Sequence, residues 1–182
     1  MKIYFSTNEK YYSKFMRWLF KEPSSHVGLG FSPDGTIPLV LDCTKPYGKI
    51  YHLDHWKKKY RITSSMDLSL SKEDEEEAYI LTTNNAVLKP YDWDAYSYGF
   101  LRGMAFAWFG IPLPITNRYS SDDADLCTEV LNPIKPLLLK YQIELITKDL
   151  AAMTPHMLAK ELHDQTRSNE KVTWHDFPIQ TP

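Results

Sequence analysis

Cys127 and His26 are the side chains of this sequence best suited to covalent chemistry. A cysteine nucleophile needs a lowered thiol pKa, a base within reach and donors for the developing oxyanion. In residues 121–131, Ser121 or Asp122 is a good helix N-cap, with an acidic residue three positions on. Cys127 then falls in the first turn or two of a helix. There the positive dipole end favours a thiolate, and unpaired N–H groups can face an oxyanion. Against this, Asp122, Asp123 and Asp125 precede the cysteine, and their charge raises a thiol pKa. An adjacent imidazolium has to outweigh them. His26 is the best source of one, because it opens a strand in which Gly28 and Gly30 let another element approach closely. Taken singly, a strand histidine is more often structural, and a cysteine is more often a small buried hydrophobe.

The positioning elements follow from hydrophobic period and turn chemistry. Residues 2–5 read as a short strand, and residues 8–20 as an amphipathic helix closed by Pro23. Residues 26–31 and 37–41 are two strands joined by a turn at residues 32–35, a hairpin that lets His26 and Asp42 face one helix. Further strand is expected over residues 47–56, followed by a basic segment ending at Arg61. Residues 63–77 become rich in Ser, Asp and Glu, and the run at residues 73–77 reads as a solvated helix face. Residues 91–109 are aromatic and helical, stopped by Gly110 and Pro112. A second clear helix runs from about residue 122 through Cys127 to Pro133. Residues 143–146 look like a strand and residues 154–162 like a short helix.

Several motifs occur in a telling order: Ser25-His26-Val27-Gly28, then Leu41-Asp42-Cys43, then Cys127-Thr128-Glu129-Val130-Leu131. Pro90-Tyr91-Asp92 and Thr154-Pro155-His156-Met157-Leu158 add two shorter echoes. This order resembles the circularly permuted branch of the NlpC-type papain-like cysteine hydrolase superfamily. In that branch a Ser-His-Val-Gly-like strand comes first, then a strand with a polar residue, then a Cys-Ser-Glu-Leu-Val-like helix start. Asp42 stands where Glu or His is commoner. The resemblance implies an α+β permuted papain-like fold, an antiparallel sheet packed against a helix that carries the nucleophile. It also implies roles: Cys127 attacks a carbonyl, His26 moves the proton, and Asp42 orients the imidazole. Ser25, Tyr91 and Thr128 are expected to line the substrate cleft.

The bulk properties bound the partners. The chain has 182 residues, enough for a single domain, expected over residues 1–164 with a polar tail over residues 165–182. A net charge of -2 gives no pull toward nucleic acid. The most apolar stretch, residues 104–115, is too short and interrupted to span a membrane. Residues 1–10 turn polar too early for a secretion signal, and two cysteines make no disulfide framework, so a cytoplasmic location is the default. A single Cys43–Cys127 bridge stays open on these grounds. His52, Asp54 and His55 suggest a metal half-site, but no second cluster completes it, so neither metal nor cofactor is expected. The basic residues 57–61 read as a solvated face, and the aromatic stretch as core or as a cleft wall.

Two functions remain open: a thiol hydrolase or acyltransferase acting on a peptide, amide or lipid-acyl substrate, and a non-catalytic protein using an aromatic cleft for binding. The first predicts that a thiol-directed probe at neutral pH labels Cys127 well ahead of Cys43. Equal labelling, followed by peptide mapping, argues for the second.

Overall fold

A computed structural model describes residues 1–32, 35, 38–44, 46–111, 127–145, 150 and 153–175. The described residues form an α+β structure whose centre is an antiparallel sheet of six strands in the order β4-β3-β2-β1-β5-β6. The strands are β1 Lys2–Thr7, β2 His26–Phe31, β3 Leu39–Cys43, β4 Gly48–His52, β5 Arg61–Leu68 and β6 Val172–His175. The helices are α1 Tyr11–Phe20, α2 Leu53–Lys57, α3 Lys72–Ala86, α4 Trp93–Phe109, α5 Lys135–Lys140 and α6 Pro155–Thr166, with a 3₁₀ helix at Glu129–Ile134.

Strand alternation divides the sheet into two different faces. Ile3, Phe5, Val27, Leu29, Leu41 and Met66 point into the main core, which α3, the 3₁₀ helix, α5 and α6 cover. Tyr4 and Val40 belong to a smaller cluster, closed by the fully buried Trp56. Gly28 makes that closure possible. A Cβ there would lie 3.0 Å from Cζ2 of Trp56 and 3.1 Å from Cγ1 of Val40.

Helix boundaries follow their capping chemistry. Ser71 caps α3 by accepting from the Asp74 amide at 3.1 Å, and Glu73, Asp74 and Glu75 complement the dipole in the first turn. Thr154 caps α6 by accepting from the Met157 amide at 3.1 Å, with Pro155 at the first helical position.

Several expectations need correction. Residues 53–56, expected as strand, fall in α2, because the His52 imidazole accepts from the Asp54 amide at 3.3 Å and starts a helix. The Ser-rich stretch from residue 61 forms β5, a strand whose polar composition hides its pairing with both β1 and β6. Residues 143–145, expected as strand, have no regular structure, although Ile143 and Leu145 are buried. The acidic run is helical, yet Asp74 is buried and bound by Lys140 Nζ at 2.8 Å and by the Tyr141 hydroxyl at 2.5 Å. In the polar tail, residues 165–166 end α6 and residues 172–175 are β6, where Trp174 packs against the core. Residues 33–34 and 36–37 of the expected hairpin and residues 176–182 lie outside the described residues.

The junction of β4 with the end of α3 is tightly closed. Gly48 donates to the Lys89 carbonyl and accepts from the Leu88 amide, both at 3.1 Å. A Cβ on Gly48 would sit 2.0 Å from the backbone oxygen of Ala86, which cannot yield without moving the chain. Gly48→Ala is expected to lower stability by about 2 kcal/mol or more, read as a fall in the urea midpoint. An unchanged midpoint would show that this junction has slack.

Candidate active site

His26 and Asp42 meet because of strand register. Gly28 lies directly opposite Asp42 in the β2–β3 pair, and His26 is two residues from Gly28 on the same face. His26 and Asp42 are therefore diagonal cross-strand neighbours, a separation that an imidazole and a carboxylate can bridge. His26 Nε2 forms a short hydrogen-bonded ion pair with Asp42 Oδ1, and both residues are buried. Among the described residues the second Asp42 oxygen has no hydrogen-bond partner, so the carboxylate is committed to the imidazole.

Cys127 completes the group. Its side chain lies close enough to the His26 ring to help raise the ring's pKa, and both line the same cleft. With Nε2 held by Asp42, Nδ1 is the nitrogen left for sulfur. Burial alone pushes the imidazole toward its neutral form. The Asp42 carboxylate and, after it, Cys127 outweigh that effect and hold the His26 pKa up at about 10. Near neutral pH the ring is therefore a cation flanked by a carboxylate and a sulfur. Neither cysteine is in a disulfide, so the open question of a Cys43–Cys127 bridge closes against it. Cys43 is buried on β3, in the main core.

The backbone around Cys127 differs from the expected helix start. Cys127 and Thr128 form a turn, and the following helix is 3₁₀, with Pro133 inside it, before α5 takes over. Pro133 has no amide hydrogen to give to an α-helical ladder. Cys127 thus lies two residues before the 3₁₀ helix that begins at Glu129. The expected caps at Ser121 or Asp122 and the three aspartates lie outside the described residues.

His26 and Cys127 border a cleft of about 880 Å³, with Asp42 buried behind the imidazole. Ser25, Tyr91 and Thr128, expected to line it, all do so. Two of them also carry structure. The Ser25 hydroxyl is 2.6 Å from Ser13 Oγ, and Ser13 Oγ is 3.1 Å from Thr7 Oγ1, so a hydroxyl cluster ties the end of β1, α1 and the strand of His26 together. Thr128 is buried and donates to the Leu150 carbonyl at 2.7 Å, which pins the turn that carries Cys127. The Tyr91 amide donates to the Pro46 carbonyl at 3.1 Å.

Sequence reasoning missed two neighbours of the site. Tyr60 stacks on the His26 ring at 4.8 Å and 16°, and Trp56 lies 4.9 Å from Tyr60, so the imidazole rests on an aromatic column. The four-residue spacing of Trp56 and Tyr60 after a histidine-capped turn was the available signal. Glu22 also lines the cleft. Burial pushes its carboxyl up to about 7, against the opposing hydrogen bond from Thr154 Oγ1 at 2.8 Å. The charge of the cleft therefore changes close to neutral pH. The histidines weighed and set aside as a metal half-site have other contacts: His52 caps α2, and His55 stacks on Tyr51 at 6.5 Å. Among the described residues, no group of three or more His, Cys, Asp or Glu could hold a metal ion.

No family model and no curated protein matches the chain. Among solved structures, the chain is similar to metalloprotein yiiX from Escherichia coli O157:H7, DUF1105, with a TM-score of 0.55. The two share 19% identity over 96% of this chain and 94% of that one. A likeness at that identity is one of fold, and it extends over nearly the full length of both chains.

The His26–Asp42 pair makes stability depend on pH in a definite sense. The folded pKa of His26 lies above its ordinary 6.5, so the native state holds a proton that the unfolded chain releases first. The stabilisation is complete below pH 6.5 and is lost as pH rises through about 10. Asp42→Asn is expected to cost about 3–5 kcal/mol at pH 6 by urea denaturation, with the gap to wild type narrowing toward pH 10. A loss that is constant across this range contradicts the assignment.

Proposed function

We propose that this chain is a cysteine hydrolase or acyltransferase of the circularly permuted papain-like kind, acting on an amide, ester or thioester. The observation that carries the reading is the buried His26 ring, hydrogen-bonded to Asp42 and close to Cys127, at the edge of an open cleft. A structural imidazole needs only one such partner. A nucleophile, a base and an orienting carboxylate need all three in this order.

In this mechanism His26 holds the thiol proton, so Cys127 attacks the substrate carbonyl carbon as thiolate. The carbonyl π pair moves to oxygen and a C–S bond forms. Collapse expels the leaving amine or alkoxide, which takes the proton from His26, and leaves a thioester on Cys127. Water or an acceptor nucleophile then gives its proton to His26, attacks the thioester, and releases the acyl product and the thiolate. Asp42 keeps the ring oriented and stabilises its cation throughout. Tyr60 limits ring rotation by stacking.

The chain order His26, Asp42, Cys127 and the fold shared with yiiX support the permuted papain-like assignment. Metal binding, which the name of that neighbour states for it, is not carried over, because the donors described here do not form a set that fits an ion. A second reading keeps the fold as a binding module. It is favoured by the cleft itself, where Phe20, Tyr51, Tyr60, Tyr91 and Phe100 are lining residues.

A panel of peptide amides, lipid esters and thioesters separates the two. Cys127→Ala is expected to abolish turnover, and Asp42→Asn to lower kcat by about 10²–10⁴-fold with a smaller change in KM. Wild type without turnover on every substrate class, while still binding one of them unchanged in Cys127→Ala, makes the chain a binding protein.

A further inference from the structure

Helix α1 carries three faces. Ser13, Met16 and Phe20 border the cleft. Tyr11, Phe15 and Trp18, spaced four and three apart, form an outward stripe that is far from buried: Tyr11 is 93% exposed and Trp18 62%. Beside that stripe run Lys10, Lys14, Arg17 and Lys21, and between Lys10 and Lys21 there is no acidic residue.

The stripe continues onto α4. Phe15 and Trp18 are 5.9 Å apart, Trp18 and Trp108 5.5 Å, and the Trp108 indole donates to the Leu19 carbonyl at 3.0 Å. Lys21 Nζ stands 5.7 Å over the Trp108 ring, and Phe109 beyond it is 71% exposed. Scattered exposed rings are ordinary, but a contiguous aromatic patch marks a contact surface.

From this patch we infer that the α1–α4 face docks the protein on an anionic lipid surface. The charge pattern favours lipid over a protein partner. Indole and phenol rings suit the headgroup zone, and flanking lysines answer anionic phosphates. No described helix is long and apolar enough to cross a membrane, so attachment through this face is peripheral and reversible. Glu9 pairs with Lys14 at 3.0 Å, but both side chains are exposed, and lipid phosphates compete for that lysine. The inference is independent of the chemistry at Cys127.

The test is co-sedimentation of the full chain with vesicles of phosphatidylcholine alone and of phosphatidylcholine with phosphatidylglycerol at roughly seven to three. Expected is binding to the anionic vesicles that is about tenfold weaker on the neutral ones and is reversed by roughly 0.5 M salt. Trp18→Ser and Phe15→Ser change exposed side chains and should each weaken binding about tenfold, with circular dichroism and Cys127 labelling unchanged. Lys14→Gln with Lys21→Gln should erase the preference for anionic lipid. Absence of vesicle binding, or binding indifferent to these variants, overturns the inference. So does a wild-type dimer in light scattering that Trp18→Ser turns into a monomer, since the patch is then a contact between copies.

Discussion

An ionisable pair removed from water is costly unless each charge meets its partner, and His26 with Asp42 is the pair around which this molecule is arranged. The β2–β3 register sets the pair on one diagonal, the bare Gly28 opposite Asp42 leaves room for Trp56, and Trp56 in turn supports the Tyr60 ring on which the imidazole lies. A slip of one residue in that register would send Asp42 to the opposite face of the sheet, among Leu29 and Leu41. The charged pair and the apolar core thus enforce the same pairing.

The later half of the chain is attached to this frame by polar contacts of a different kind. Thr128 fastens the turn of Cys127 to Leu150, Thr154 links α6 to Glu22, and Lys140 with Tyr141 holds Asp74 at the start of α3. Each joins segments distant in sequence, and each uses a side chain that local propensity would leave in water. The position of the thiol therefore depends on long-range hydrogen bonding as much as on helix geometry.

What the sequence discloses divides along the same line. The β2 strand, the α3 cap at Ser71 and the α6 cap at Thr154 depend on neighbours in the chain, and they are legible there. β5 is not, because residues such as Ser64 and Ser65 become strand only through β1 and β6 on either side. Residues 143–145 mislead for the opposite reason: apolar side chains are buried there without a strand partner. At the site, the types of His26, Asp42 and Cys127 can be read from motifs, but the stacking of Tyr60 and the raised pKa of Glu22 arise from burial. The aromatic residues of α1 and α4 also defeat the usual rule, since several that resemble core face outward.

An open sheet ends in two strands whose free backbone groups can recruit another chain. Here β6 covers four of the described residues, and on β4 the amide and carbonyl of Gly48 are taken by residues 89 and 88. Lys49 and Tyr51 of β4 line the cleft, so this edge is where an extended peptide would meet the sheet. Strand addition, a common way to hold a peptide irrespective of its sequence, is closed at Gly48. The sheet edge is thereby shortened by the chain itself, which guards it against edge-to-edge association.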